Sequence, residues 1–243
     1  MQFHLTLTPD GPVTLPLSYH GMVQGAVYHA LAVAPEYSSF LHDDGFHYGQ
    51  RSYKLFTFSL LEGPHRVRER RITFPGPVSL EVRSPSADFC RTFFAAMQED
   101  RTLRLGENRL SVTDFSVTDR RVREESVRVR MRSPLCLSQT VSEGAKKATT
   151  YLSPQDEEFP ALLQENFRRK HTAAFGQEPE TGILVETLGG IRKYVTRFQQ
   201  NIYVTAWFGA FRLRGEQDNL DFLYQTGLGS RNSQGFGMFD VEL

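Results

Sequence analysis

The chain has only two cysteines in 243 residues, Cys90 and Cys136. Their wide separation gives no metal-ligand spacing and no dense disulfide framework. Tryptophan occurs once. No apolar run approaches the ~18 residues that a membrane span needs, so no membrane partner is expected. No secretory leader is recognisable, because Met1 runs straight into Gln2-Phe-His-Leu-Thr-Leu, which alternates as a strand. Neither charge sign is in excess: 28 basic side chains face 28 acidic ones. A whole-protein basic field is therefore missing, and any contact with nucleic acid has to come from local patches. The Gly-x-Ser-x-Gly elbow of serine hydrolases is absent. His42, Asp43, Asp44 and the nearby His47 are too contiguous to converge on one ion, so no metal and no cofactor are expected. These absences describe a soluble protein of a reducing compartment, expected in the cytoplasm.

What is present in quantity is glycine near the C-terminus. Gly227, Gly229, Gly235 and Gly237 fall within eleven residues, with Ser230, Arg231, Asn232, Ser233 and Gln234 between them. Glycine costs backbone entropy, so this density needs a local reason. Two readings stand. The run is either a loop whose N–H groups approach an anion, with Arg231 available for phosphate, or a plain turn before a last strand, 236–243. It follows neither the Walker pattern nor a dinucleotide fingerprint.

Hydrophobic periodicity divides the rest in two. In the first half, strands are expected over 2–8, 53–61, 70–74, 78–82, 103–105 and 109–117. Helices are expected over 18–32, 35–42 and 86–97, with Phe89, Phe93, Phe94 and Met97 as a core stripe. The charged bridge Asp119–Glu125 marks a boundary, giving domains of 1–121 and 122–243. The second half predicts a strand over 127–131, a short strand over 135–137, a loop over 138–150 and a helix over 154–175 that Pro160 kinks or begins. A hairpin about Gly189-Gly190 (strands 183–188 and 192–198), a strong strand over 202–213 and a helix over 217–225 follow. Each half reads as strand, helix, strands, helix, strand. The expected fold class is α+β, with two tandem ferredoxin-like β-α-β-β-α-β units.

Six of the seven histidines, His4, His20, His29, His42, His47 and His65, lie in the first third, together with Tyr28 and Lys54. Histidine exchanges protons near neutral pH. Basic residues cluster at 65–71, at 120–123, along Arg128, Arg130 and Arg132 on one strand face, and at 168–170 and 192–197. Acidic residues gather at 156–158 and 216–221. Such segregation allows an RNA track on a neutral protein.

Together these features resemble the CRISPR-associated endoribonucleases of the RAMP superfamily, which cut repeat RNA during guide maturation. Three stretches carry the resemblance: Gly227–Met238, Leu15-Pro-Leu-Ser-Tyr-His20 through Gln24-Gly-Ala-Val-Tyr28, and Phe40-Leu-His42 leading to Tyr53-Lys-Leu-Phe-Thr-Phe-Ser59. They span the chain, although the middle agrees only in pattern. The resemblance implies metal-independent cleavage of CRISPR repeat RNA: the 2′-hydroxyl attacks the adjacent phosphorus, the 5′-oxygen leaves, and a 2′,3′-cyclic phosphate remains. By position, His42 is the acid-base histidine, Tyr28 the base or 2′-hydroxyl partner, and Lys54 the charge stabiliser. His29 and His47 stand as substitutes. Gly227, Gly229, Ser230, Arg231, Gly235 and Gly237, with Arg128 and Arg130, are the expected RNA contacts. Membership of an interference complex and a homodimer are left open. The rival readings are a non-catalytic guide-RNA-binding subunit of the same superfamily and a small-molecule enzyme that uses the glycine loop for phosphate.

Overall fold

The computed structural model describes residues 1–143, 146–199 and 202–242. The chain opens with β1 (Gln2–Pro9), β2 (Val13–Pro16), α1 (His20–Leu31), the short α2 (Pro35–Ser39) and one π-helical turn, Phe40–Asp44. It continues with β3 (Phe46–Tyr48), β4 (Arg51–Tyr53), β5 (Thr57–Phe58), β6 (Arg66–Arg68), β7 (Arg71–Phe74), β8 (Val78–Arg83), α3 (Ala87–Glu99), β9 (Thr102–Leu105) and β10 (Asn108–Thr118). The second half holds β11 (Ser126–Met131), β12 (Ser138–Glu143), β13 (Lys146–Tyr151), α4 (Phe159–Phe175), β14 (Leu184–Gln199), β15 (Ile202–Arg214), α5 (Gln217–Thr226) and β16 (Phe239–Glu242).

The main sheet of the first half runs β5-β8-β1-β10-β9, and that of the second runs β14-β15-β11-β16. Every pairing in both is antiparallel. In each half the first strand lies between the third and last strands of a β-α-β-β-α-β unit, and the second strand lies outside the third. That is the ferredoxin-like arrangement, present twice. The alternation of β1 and β11 turns one face of each strand inward. Phe3, Leu5 and Leu7 enter the first core, and Val127, Val129 and Met131 the second. The helix α1 buries Val23, Ala26, Val27, Ala30 and Leu31 on one stripe. The Ser86 hydroxyl accepts from the Phe89 N–H and caps α3.

Several expected elements take a different form. The stretch 53–61 is not one strand. Leu55 has φ 50°, which turns the chain between β4 and the two-residue β5. The expected hairpin about Gly189-Gly190 is a single strand, β14, with a bulge between Leu188 and Arg192 where Gly189 takes φ 74°. The expected loop 138–150 is instead the hairpin of β12 and β13, and residues 144–145 lie outside the described residues. Leu135 makes only an isolated bridge to Trp207. Pro160 stands at the start of α4, where a missing N–H costs nothing, rather than at a kink. Phe94 is 46% exposed and does not join the core stripe.

The two sheets are tied by a buried ion network. Arg83 on β8 is 1% exposed and pairs with Glu81 at 2.5 Å and, across the halves, with Asp240 of β16 at 2.6 Å. Its guanidinium also lies 4.0 Å from the centre of the Tyr224 ring of α5. Arg132 continues the network to Glu62, Glu81 and Asp240. The Met1 amino group donates to Ser84 O and to Gln225 Oε1. Among the described residues no helix is long and apolar enough to cross a membrane.

Candidate nucleic-acid cleft and active site

A cleft of about 610 Å³ opens between the two halves. One wall comes from α1, the π-helical turn and the stretch after β4. The other comes from α4 and the glycine-rich run. The helix α1 presents Gly21, Gln24, Gly25 and Tyr28 to it, the spacing of a single helical face. An added Cβ at Gly21 or Gly25 would meet nothing within 4 Å. The fold itself does not need glycine at these positions, although each costs the helix roughly 0.5–1 kcal/mol relative to alanine. The result is a bare helical face turned to the cleft.

Tyr28, His42 and Lys54 come together on this wall. The Tyr28 and His42 rings meet edge-on with centroids 5.7 Å apart. The π-helical turn positions His42: its extra residue closes with Gly45 N–H on Phe40 O at 2.7 Å. The Lys54 ammonium donates to His42 O at 2.9 Å and to Asp44 O at 3.3 Å, so it fastens the end of that turn. The His42 side chain is 72% exposed at the rim, and its Nδ1 lies 2.7 Å from Asp43 Oδ1. That bond lowers the Asp43 carboxyl below its ordinary value, and with Nδ1 turned to Asp43 the other ring nitrogen is left for a substrate. Burial pushes the Tyr28 hydroxyl up to about 12. Burial also lowers the Lys54 ammonium, against the attraction of Asp43 and Asp44. His29 and His47 are exposed and do not line the cleft.

Facing them, the glycine-rich run is a packed structure rather than an open cradle. Gly227, Gly229, Gly235 and Gly237 all have positive φ. A Cβ on Gly237 would lie 2.0 Å from Leu228 O, and one on Gly229 would lie 2.4 Å from Cys136 O. Backbone N–H groups of Gly227, Leu228, Ser230, Gln234, Gly235 and Gly237 are taken by acceptors within the fold. The Asn232 amide sits inside the loop and donates to Leu228 O at 3.1 Å and to Phe236 O at 3.0 Å. Lys170 on α4 donates to Asn232 Oδ1 at 2.9 Å and also to Gly227 O. Gly229, Ser230 and Arg231 line the cleft, whereas Gly227, Gly235 and Gly237 shape the loop behind it. Arg128 and Arg130 stand elsewhere. Both pair with Glu242, at 2.6 and 2.5 Å, and neither lines the cleft.

The sequence offers no reason to single out His20, Asn166 or Arg51, and it places Lys170 only within a basic cluster. His20 is 1% exposed and sits where the halves meet. Its Nδ1 lies 3.2 Å from Gln234 O and its Nε2 3.0 Å from the Tyr194 hydroxyl. A carbonyl only accepts, so Nδ1 carries the hydrogen and Nε2 accepts from Tyr194. Its ring stacks on Phe236 at 4.7 Å. Burial pushes His20 from 6.5 down to about 4. The unfolded chain therefore binds the proton first: the stability is present above 6.5 and is lost as pH falls toward 4. The loss is expected to be about 3 kcal/mol. Urea titrations across this pH range, on the wild type and His20→Phe, check it; equal acid sensitivity in the two would be the contrary result.

The electrostatics of the cleft are one-signed. Among the described residues its lining includes Arg51, Lys54, Lys170, Arg231 and His42, and no Asp or Glu. In a chain with 28 charges of each sign, that is a local segregation. Among the described residues, the buried side-chain polar atoms with no partner are Tyr53 Oη, Asn166 Oδ1 and Arg231 Nε, and all three residues line this cleft. Among the described residues no three His, Cys, Asp or Glu side chains converge as a metal site.

Two ferredoxin-like units in series, with a glycine-rich run facing a cationic cleft, define the class of fold. A solved structure titled as a RAMP protein binding different RNA substrates superposes with a TM-score of 0.86 at 21% identity, over 100% of both chains. The family model described as CRISPR associated protein Cas6, C-terminal, matches residues 117–241, more than half of the chain. The chain belongs to the Cas6 family. It is 27% identical to CRISPR-associated endoribonuclease Cas6 1 of Methanocaldococcus jannaschii, over 98% of this chain and 91% of that one. A solved structure titled CRISPR associated protein Cas6 is 26% identical, covers 100% of this chain and 99% of its own, and has a TM-score of 0.83.

Proposed function

We propose that this protein is an endoribonuclease that cuts CRISPR precursor RNA within its repeats, without a metal, in the cytoplasm. The observation that carries the reading is the cleft: Tyr28, His42 and Lys54 on one wall, the glycine-rich run opposite, and no carboxylate in the lining among the described residues. A polyanion gains from every cation there, and Asp43 beside His42 stands at the rim. The bare face of α1 at Gly21 and Gly25 allows the sugar-phosphate chain to lie close. We place the boundary between the two units at 121/122, so that the first supplies the chemistry and the second the docking wall.

The chemistry is internal transesterification. The ribose 2′-oxygen forms a bond to phosphorus, the bond from phosphorus to the 5′-oxygen breaks, and a 2′,3′-cyclic phosphate and a 5′-hydroxyl result. His42 donates the proton that the departing 5′-oxygen needs. Lys54 offsets the charge that builds on the phosphoryl oxygens. With its hydroxyl held near 12, Tyr28 stays protonated at neutral pH and orients the 2′-hydroxyl as a hydrogen-bond partner, and the 2′-hydroxyl proton passes to solvent water as the bond to phosphorus forms. Ser230 and Arg231 contact the RNA backbone.

Replacing the single 2′-hydroxyl at the cleavage junction of a repeat RNA with hydrogen is expected to abolish cutting while leaving binding in place. Gel analysis of end-labelled RNA checks this, and the cyclic phosphate is read by mass spectrometry. Equal cutting of the deoxy-substituted RNA would remove the mechanism. A protein that binds both RNAs and cuts neither would instead be a guide-RNA-binding subunit.

A further inference from the structure

Lys170 is a lysine that the fold has buried without a counter-charge. It is 2% exposed, yet it belongs to the lining of the cleft. Its ammonium bonds only to neutral oxygens, Gly227 O and Asn232 Oδ1. Two other buried or half-buried cations, Arg83 and Arg132, do have carboxylates: Arg83 has Glu81 and Asp240, and Arg132 has Glu62, Glu81 and Asp240. Among the described residues, the charged and titratable groups that share its cleft are Tyr28, His42, Arg51, Tyr53, Lys54 and Arg231, and none is a carboxylate. On its own helix, Glu165 is taken by Arg168 and Arg169, and the His171 ring packs against Phe175 at 4.6 Å. The α5 and β12 segments add only the neutral Thr226 and Ser138 to the lining.

A buried cation without an anion is costly, and the cost falls when an anion arrives nearby, even without contact, because the interior screens charge weakly. The position of the amine also matters. Through Asn232 it reaches Leu228 O and Phe236 O, the two sides of the glycine-rich run. We propose that Lys170 is a positioning residue whose missing counter-charge is an RNA phosphate seated in the cleft, so that RNA entry fixes the proton on Lys170 and thereby locks the glycine-rich loop. This rests on the RNA reading of the cleft given above.

The consequence is proton uptake on binding. Burial alone holds Lys170 down to about 7 in the free protein, so near neutral pH part of the population lacks the proton. A phosphate beside it raises its affinity for that proton. Binding therefore takes up a proton, and affinity falls as pH rises above 7. His42 shares the cleft, so the comparison is made in a His42→Ala background, which also slows cutting.

The experiment is calorimetric titration of a repeat RNA into His42→Ala protein, in buffers of different ionisation enthalpy, from about pH 7 to pH 9. The expected result is uptake of roughly half a proton or more per RNA bound near pH 7.5. Binding is also expected to weaken roughly tenfold across the range. Adding Lys170→Gln, which keeps a donor for Asn232 but no charge, should abolish the uptake and flatten the pH dependence. A purely structural lysine would change stability in this variant without changing proton linkage. Should Lys170→Gln fail to fold, Lys170→Met and the parent's own uptake curve decide instead. Uptake unchanged by either substitution, or none in the parent, overturns the proposal and leaves the nuclease reading intact. If the parent binds no RNA, the nuclease reading fails. The same titration with inorganic pyrophosphate then tests the lysine alone: uptake sustains it and none overturns it.

Discussion

His42→Ala is expected to slow cleavage of repeat RNA by about 10²–10⁴-fold, the range for loss of one positioned acid-base group. The dissociation constant for the same RNA should stay within a few-fold, and EDTA should leave the wild-type rate unchanged. The split between rate and binding follows from geometry. The His42 side chain is 72% exposed at the rim and touches its own wall mainly through Asp43 and the edge of Tyr28. Removing it deletes a proton donor and little of the cationic surface. The leaving 5′-oxygen is a poor leaving group unless protonated, so the loss appears in the chemical step. Single-turnover kinetics with excess enzyme measure it directly. A rate within threefold of wild type would remove His42 from the mechanism, and a rate lost in EDTA would remove the metal-independent scheme. Lys54 is a less clean target, because it also fastens His42 O and Asp44 O. Its removal is expected to disturb both charge and position.

Arg83→Leu is expected to cost about 3–5 kcal/mol of folding stability, the range for breaking a buried ion pair from one side. The arginine is 1% exposed, and its partner Glu81 has a side chain 5% exposed. Arg132 still reaches Glu81 at 2.8 Å, which softens the loss but does not replace the second cation. The same substitution removes one of the two cations on Asp240, leaving Arg132, and uncovers the face of Tyr224, both in the second half. The two units should therefore lose their mutual support, and cleavage should fall with stability because the cleft is built from both. Urea unfolding of wild type and variant gives the number. A loss below 1 kcal/mol would mean that packing alone holds the halves together. Arg83→Leu with Glu81→Gln should recover part of the loss, since the stranded carboxylate is then gone.

Much of this was readable along the chain because the signals were local. Alternation in β1 and β11, the apolar stripe of α1, and the repeated order of strands and helices follow from side-chain direction alone. Those local signals led to tandem ferredoxin-like units. The hairpin expected at Gly189-Gly190 failed for a nonlocal reason. A glycine pair marks a break in side-chain packing, but only the partner β15, running past both sides, decides between a turn and a bulge. The stretch 53–61 failed at Leu55, whose positive φ is imposed by tertiary packing and leaves no mark on composition.

The glycine-rich run shows both sides. Its glycine density followed from the chain itself, and so did the need for unusual backbone angles. The phosphate-cradle reading does not follow, because most of the run's N–H groups are used within the fold. The sequence was also enough to single out Tyr28, His42 and Lys54 as one group. It could not determine that Arg128 and Arg130 would share the carboxylate of Glu242, since that depends on β16 pairing with β11. Nor could it pick out Lys170, which looks like any basic residue of a helix. Its burial and its place beneath the loop arise only when α4 and the glycine-rich run, more than fifty residues apart in the chain, pack together. Charge compensation is a matter of distance in space, and only the folded molecule sets those distances.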